Sequence, residues 1–229
     1  MSDVSILAGG DALKIERNLL KDQVADLLRD HIMRGNILQG TKVVEREIAD
    51  VLGVSRVPVR DALMQLEAEG LVISKPSGRY VIELTERDVR ELYEIRVVLE
   101  RLAVNLVIQK ATPRQREMLT EKLEDMRRAV AQKDTRAYVN DDVGIHRLIW
   151  DIADNHHLRR IFDTMIGPIF IFASNHARVY DWGVTLSLHE NLIEAMLEGD
   201  VDKAYGCVEA HMNDALQRSL NLLAQGRKA

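Results

Sequence analysis

Apolar residues recur at spacings of three and four over residues 14–34, LKIERNLLKDQVADLLRDHIM, where Ile15, Leu19, Leu20, Val24, Leu27, Leu28 and Ile32 form one stripe. The pattern predicts an amphipathic helix that stops at Arg34-Gly35-Asn36. After the ILQGTKV turn, EREIADVLG predicts a short helix from Glu45 to Gly53, closed by a glycine able to take the left-handed conformation. Val54 and Ser55 then make a tight turn. Ser55 is expected to cap the next helix through its hydroxyl, and Pro58 falls in the first turn, where its missing N–H removes no intrahelical bond. That helix runs through RDALMQLEAE to Gly70.

The period then changes to two. LVISK and RYVIEL alternate well enough for two strands, with Pro76-Ser77-Gly78 as the reversal. Three helices followed by a hairpin is the order of a winged helix-turn-helix. From Thr85 the pattern is helical only: TERD offers a capping box for a long helix to about Gln109. Further starts stand at Thr112-Pro113, Asp134 and Asp200, with breaks around Asn155, Gly167-Pro168 and Gly183, which gives six or seven helices and no repeat. The expected fold is mostly α: a winged helix-turn-helix with a β-hairpin wing over residues 1–84, and an all-α antiparallel helical bundle over residues 85–229.

Composition agrees with that picture. A chain of 229 residues has room for two modest domains, and 46% hydrophobic, 4% aromatic and 29% charged residues suit a soluble, helix-rich protein. The start, MSDVSILAGGDALK, lacks a basic n-region, and no window approaches 18 uncharged apolar residues, so a cytoplasmic protein with no membrane partner is expected. The one cysteine, Cys207, has no partner for an internal disulfide and is expected as a buried, inert thiol, which suits a reducing compartment.

Charge sharpens the reading of the first domain. The chain carries a net −5, and residues 41–82 hold six bases and six acids, so DNA binding there requires the charges to be segregated. Arg56 and Arg60 sit four apart in the first turns of the second helix of the motif, the turns that enter a major groove, while Ala62, Leu63 and Leu66 point to the core. Glu67 and Glu69 are expected at the far end, away from DNA. A guanidinium can read guanine O6 and N7 or hold a phosphate, and spacing leaves both open. Arg79, taken as lying at the hairpin tip beside Gly78, is placed for the minor groove or the backbone, and Arg46 for a phosphate. Two arginines on a helix are more often a solvated face; here the complete order of helix, turn, helix and hairpin decides for DNA.

These residues, EREIADVLGVSRVPVRDALMQLEAEGLV followed by GRYV, resemble the GntR family of bacterial transcription regulators over residues 15–83, with the SR-x-P-V-R-[DE]-A-L core and the wing glycine in register. The resemblance implies contacts to a double-stranded DNA operator from Arg46, Arg56, Arg60 and Gly78; Ser55 and Arg79 complete the DNA-facing set expected here. Val57 departs from the pattern, since many relatives carry a hydroxyl or polar residue there.

The helical half holds candidate metal ligands. Asp142 and His146, in DDVGIHRLIW, are four apart on one helical face; His189 opens HENLIEAMLEGD and His211 lies in EAHMNDAL. Lone histidines on apolar faces are more often satisfied core residues, but ligands from different helices converging in a bundle suit a divalent ion such as Zn or Ni. Residues 88–218 resemble the FCD effector-binding domain of the FadR-type branch of that family, in which an Asp-x3-His pair and two later histidines hold a metal beneath a small-molecule pocket. The resemblance implies Asp142, His146, His189 and His211 as ligands. It also matches Arg96, in ELYEIRVVLE, to an arginine that faces the effector; read from spacing alone, Arg96 pairs with Glu100 at i+4. Asn155, in DNHHL, is either a helix cap or an effector-binding residue, and His31, His156, His157 and His176 are expected at the surface.

The expected function is a homodimeric regulator, a repressor by the family's default, that binds a near-palindromic operator with an affinity set by a small organic acid at the metal. The alternative from another class is a metal-dependent hydrolase in the helical domain, since three histidines and an aspartate around an open position can activate water.

Overall fold

A computed structural model describes residues 11–176 and 182–226 of the chain. The elements run α1 (Asp11–Met33), β1 (Lys42–Val43), α2 (Glu45–Leu52), α3 (Arg56–Ala68), β2 (Val72–Lys75), β3 (Gly78–Val81), α4 (Glu86–Lys110), α5 (Pro113–Gln132), α6 (Thr135–Ile152), α7 (His156–His176), α8 (Trp182–Glu198) and α9 (Val201–Gly226). Contacts divide them into two compact units, one reaching to Glu83 and including Ile166–Ile171, the other holding Leu84–Met165 and the chain from Phe172 onward.

The first unit is a winged helix-turn-helix. Gly53 takes the left-handed conformation at φ 66° and ends α2 on a backbone bond to the Ala49 carbonyl, which turns the chain into α3. Val24, Ala25, Leu28 and Ile32 of α1 pack with Val59, Ala62, Leu63 and Leu66 of α3 and with Leu71, Val72 and Val81 of the wing in one core. The sheet has three antiparallel strands in the order β1-β3-β2, one more than the hairpin expected, because Lys42 and Val43 pair with Tyr80 and Arg79. Gly78 opposes Lys75 as the first residue of β3, and Ser74 opposes Arg79. Arg79 is therefore inside the wing strand and not at its tip.

The second unit is all helical. Thr85 and Asp88 close a capping box on α4, Thr112 and Gln115 close another on α5 behind Pro113, and Asp134 caps α6 through the N–H groups of Arg136 and Ala137. α4 packs on α6, α8 and α9, and α5 packs on α6 and α8. Val104, Val107, Leu119, Met126, Ile145, Ile149, Ile193, Met196 and Val208 are buried between them, and Trp150 stacks on Phe162 with ring centroids 4.0 Å apart.

Three expectations need correction. The break expected at Gly167-Pro168 is absent: α7 continues through both. Gly167 is there for closeness, since a Cβ on it would stand 2.4 Å from the Glu69 carbonyl oxygen within the first unit. The hydroxyl of Ser55 makes no capping bond, although Ser55 holds the N-cap position of α3 with extended backbone. Cys207 is partly exposed rather than buried, and burial still pushes its thiol pKa up. The break near Gly183 borders residues 177–181, outside the described residues, as does the side chain of His176; α8 begins at Trp182.

Candidate metal centre and nucleic-acid interface

α6 turns the side chains of Asp142 and His146 to one face, α8 contributes His189 and α9 contributes His211, and one ligand atom from each falls within 4.8 Å of the other three. The three histidines are buried. Nε2 of His146 lies 3.2 Å from Nε2 of His211, and Nε2 of His189 lies 3.4 Å from Oδ1 of Asp142. Two nitrogens bound tetrahedrally at about 2.0–2.1 Å from a zinc ion stand about 3.3 Å apart, so the His146–His211 separation matches that of a shared ion.

Protonation favours ligation. Nδ1 of His189 lies 2.9 Å from the carbonyl oxygen of Thr185, one turn back on α8, and donates its proton there, which leaves the Nε2 lone pair for the site. Burial pushes His189 down to about 4 against the opposing pull of Asp142. Burial, then the neighbouring His189 and His146, hold His211 well below the ordinary imidazole value. Both stay neutral near pH 7, the state a metal ligand needs, and among the described residues no donor satisfies Nε2 of His189. The donor set fits a divalent metal ion.

Around this set stand residues that spacing did not bring to the histidines. Glu100 of α4 is buried with Oε1 3.1 Å from Arg96 Nε and 3.2 Å from His146 Nδ1, while Trp150 Nε1 donates to Oε2 at 2.9 Å. Burial acts to raise the Glu100 carboxyl, but His146, Arg96 and Trp150 together outweigh it and hold the pKa down to about 2. Arg96 is itself buried, so the i+4 pair read from spacing is formed. Arg218 of α9 donates to the Thr185 hydroxyl and pairs with Asp214 at 2.8 Å. Asn155 caps α7, accepting from the Leu158 N–H at 3.1 Å, and His156 and His157 are exposed.

The candidate DNA face lies in the first unit. Arg56 and Arg60 project from the opening turns of α3 and are exposed, and Arg46 on α2 is exposed too. Arg56, Arg60 and Arg79 converge on one carboxylate: Glu45, the first residue of α2, lies 3.6 Å from Arg56 Nη2, 3.4 Å from Arg60 Nε and 2.8 Å from Arg79 Nη1. Glu67 also reaches Arg79, at 3.5 Å. The clean segregation of acids from the arginine face is thus not what the chain does, since Glu45 sits among the bases. Glu69 does point elsewhere, to Arg29 on α1. Ser55 is exposed at the start of α3, and Gly78 opens β3 at φ 129°, where a Cβ would stand 2.8 Å from Lys42 Cε. Nothing local in the sequence links residue 45 to residue 79.

Comparison with known proteins fits both halves. Residues 20–82 match the bacterial regulatory proteins of the gntR family, and residues 91–214 match the FCD domain. The chain is 29% identical over 210 residues to the HTH-type transcriptional regulator YdhC of Bacillus subtilis (strain 168), covering 90% of this chain and 93% of that protein. It is 30% identical over 184 residues to the gluconate operon transcriptional repressor of the same organism, covering 78% and 76%. Among solved structures, E. coli McbR/YncC superposes with a TM-score of 0.72 at 22% identity over 91% of this chain and 98% of that one, a likeness of fold. The chain belongs to the GntR family of bacterial DNA-binding transcription regulators and carries an FCD domain behind its winged helix-turn-helix.

Proposed function

We propose that this regulator is a homodimeric repressor whose affinity for a near-palindromic operator is set by a small carboxylate metabolite bound at a divalent ion on Asp142, His146, His189 and His211. The observation that carries the reading is the meeting of four ligand atoms within 4.8 Å, three of them on buried imidazoles, from helices far apart in sequence. A bound ion supplies Lewis acidity and an open position for a carboxylate oxygen. The chain's own residues exclude water, hold two imidazoles neutral and supply one negative charge from Asp142, leaving net positive charge for an anion.

On the DNA side, Arg56 and Arg60 enter the major groove, Arg46 and Ser55 hold phosphates, and Gly78 and Arg79 bring the wing to the backbone or minor groove. The dimer reading is supported by α4, where Ile95, Val98 and Leu102 lie on one side of the helix at spacings of three and four and are 53%, 66% and 42% exposed. A second copy of the same stripe covers it. An effector that binds one arrangement of the dimer better shifts operator affinity by its differential binding free energy, typically about 1–3 kcal/mol.

Two relatives are named as repressors of a gluconate operon and one as a probable repressor of D-xylose utilisation, so sugar acids are the first compounds to try. Membership of a regulator family gives the hydrolase alternative no support. A gel-shift titration with an operator selected from random DNA, with and without sugar acids and chelator, tests the reading. Loss of the complex on adding an acid, only while metal is present, is the expected result; a response indifferent to metal contradicts it.

A further inference from the structure

Glu100 stands on α4, an element that contributes no ligand to the four-residue set, yet its buried carboxylate accepts from two donors and faces a ring nitrogen of His146. Oε1 lies 3.1 Å from Arg96 Nε and 3.2 Å from His146 Nδ1, and Oε2 accepts from Trp150 Nε1 at 2.9 Å. His146 Nδ1 is buried without a well-aligned hydrogen-bond partner among the described residues, and the Glu100 carboxylate at 3.2 Å is its ion-pair neighbour. The side chains of Arg96 and Glu100 are only 6% and 3% exposed, so this polar group has been taken out of water where an apolar core would be simpler.

We infer that Glu100 is a positioning residue for the proposed metal centre: it holds the His146 ring by Nδ1 so that Nε2 faces the ion, with Arg96 as its counter-ion. The inference rests on the metal reading of Asp142, His146, His189 and His211. A neutral imidazole carries one proton, and an ionised carboxylate only accepts. Facing Nδ1, Glu100 therefore selects the tautomer that leaves the Nε2 lone pair free, the task the Thr185 carbonyl performs for His189. Arg96 neutralises the carboxylate that faces His146 and itself rests 5.8 Å from the Tyr93 ring. A change at Arg96 then alters ligand response by way of the metal.

The test measures zinc affinity of the full-length protein by competition with a chromophoric chelator, for wild type, Glu100→Gln, Glu100→Asp and Trp150→Phe. An amide has one acceptor oxygen for these three neighbours, and an aspartate retreats by one methylene, so both changes at position 100 are expected to weaken zinc binding about 10–100-fold. Trp150→Phe removes a bond to the other oxygen and is expected to leave zinc affinity unchanged. Wild-type affinity in both position-100 variants, or equal weakening by Trp150→Phe, overturns the inference in favour of simple packing. Nitrogen NMR of the wild-type metal-free protein gives a reading that needs no variant: His146 protonated on Nδ1 supports the role, and protonation on Nε2 overturns it. A wild type that takes up no ion defeats the metal reading itself, and the tautomer still decides for or against Glu100.

Discussion

Nε2 of His146 and Nε2 of His211 face each other across 3.2 Å from helices α6 and α9. Such an arrangement is poor as a hydrogen bond when both rings lack a proton there, and good when a cation lies between them. Changing His189 and His211 together to Ala should therefore abolish stoichiometric zinc or nickel in elemental analysis, while circular dichroism stays helical. Retained stoichiometric metal would remove this set as the site.

Metal removal should separate sensing from DNA binding, because the arginines of α3 and the wing belong to the first unit and the four ligands to the second. Chelator should lower the melting temperature; an ion present at 100 times its dissociation constant contributes about 2.7 kcal/mol. Basal operator affinity in a gel shift should change far less than effector response. An equal loss of both would mean that the ion holds the whole dimer together.

Arg56→Ala and Arg60→Ala should each weaken operator binding, by roughly 1–3 kcal/mol where the guanidinium reads a guanine, without changing the thermal unfolding midpoint much, since both side chains are exposed. Fluorescence anisotropy on operator and scrambled DNA distinguishes the roles. A base-reading arginine loses the difference between the two sequences; a phosphate-binding one loses affinity for both.

Glu45 predicts a change of the opposite sign. Its carboxylate occupies Arg56, Arg60 and Arg79 in the free protein and opposes DNA phosphates, so Glu45→Gln should raise affinity for scrambled DNA several-fold at low salt and steepen the salt dependence. Unchanged scrambled-DNA binding would show that the three ion pairs do not compete with the nucleic acid.

The apolar stripe on α4 predicts the oligomer. Val98→Glu with Leu102→Glu places two charges in the proposed seam and should give monomers in sedimentation equilibrium with helicity intact, because both residues are already solvent-facing in the single chain. A dimer that survives both changes would locate the interface elsewhere.

Much of this was legible in the order of residues. Thr85, Thr112 and Asp134 announced their helices because capping is a contact within four residues. The core stripes of α1 and α3 were visible for the same reason: helical periodicity is local. The two-residue strand β1 was not, since Lys42-Val43 is too short to show alternation and exists only through β3. Pro168 read as a break because a proline costs a helix a hydrogen bond, but α7 continues through it. Asp142 and His146 showed a shared face, whereas Glu100 and Glu45 gained their roles only when folding brought His146 and Arg79 to them. The pairing of Arg96 with Glu100 was within reach of an i+4 reading; that the carboxylate also serves His146 was not.

The central claim is that an organic acid acts through the ion on these four residues. The most direct measurement is a thermal-shift titration of the purified full-length protein against sugar acids, run in parallel on metal-loaded and chelator-treated samples. The account predicts a saturable rise in melting temperature for at least one acid in the loaded protein and none in the stripped protein. An equal rise in both samples would contradict it, because the acid would then be held without the metal.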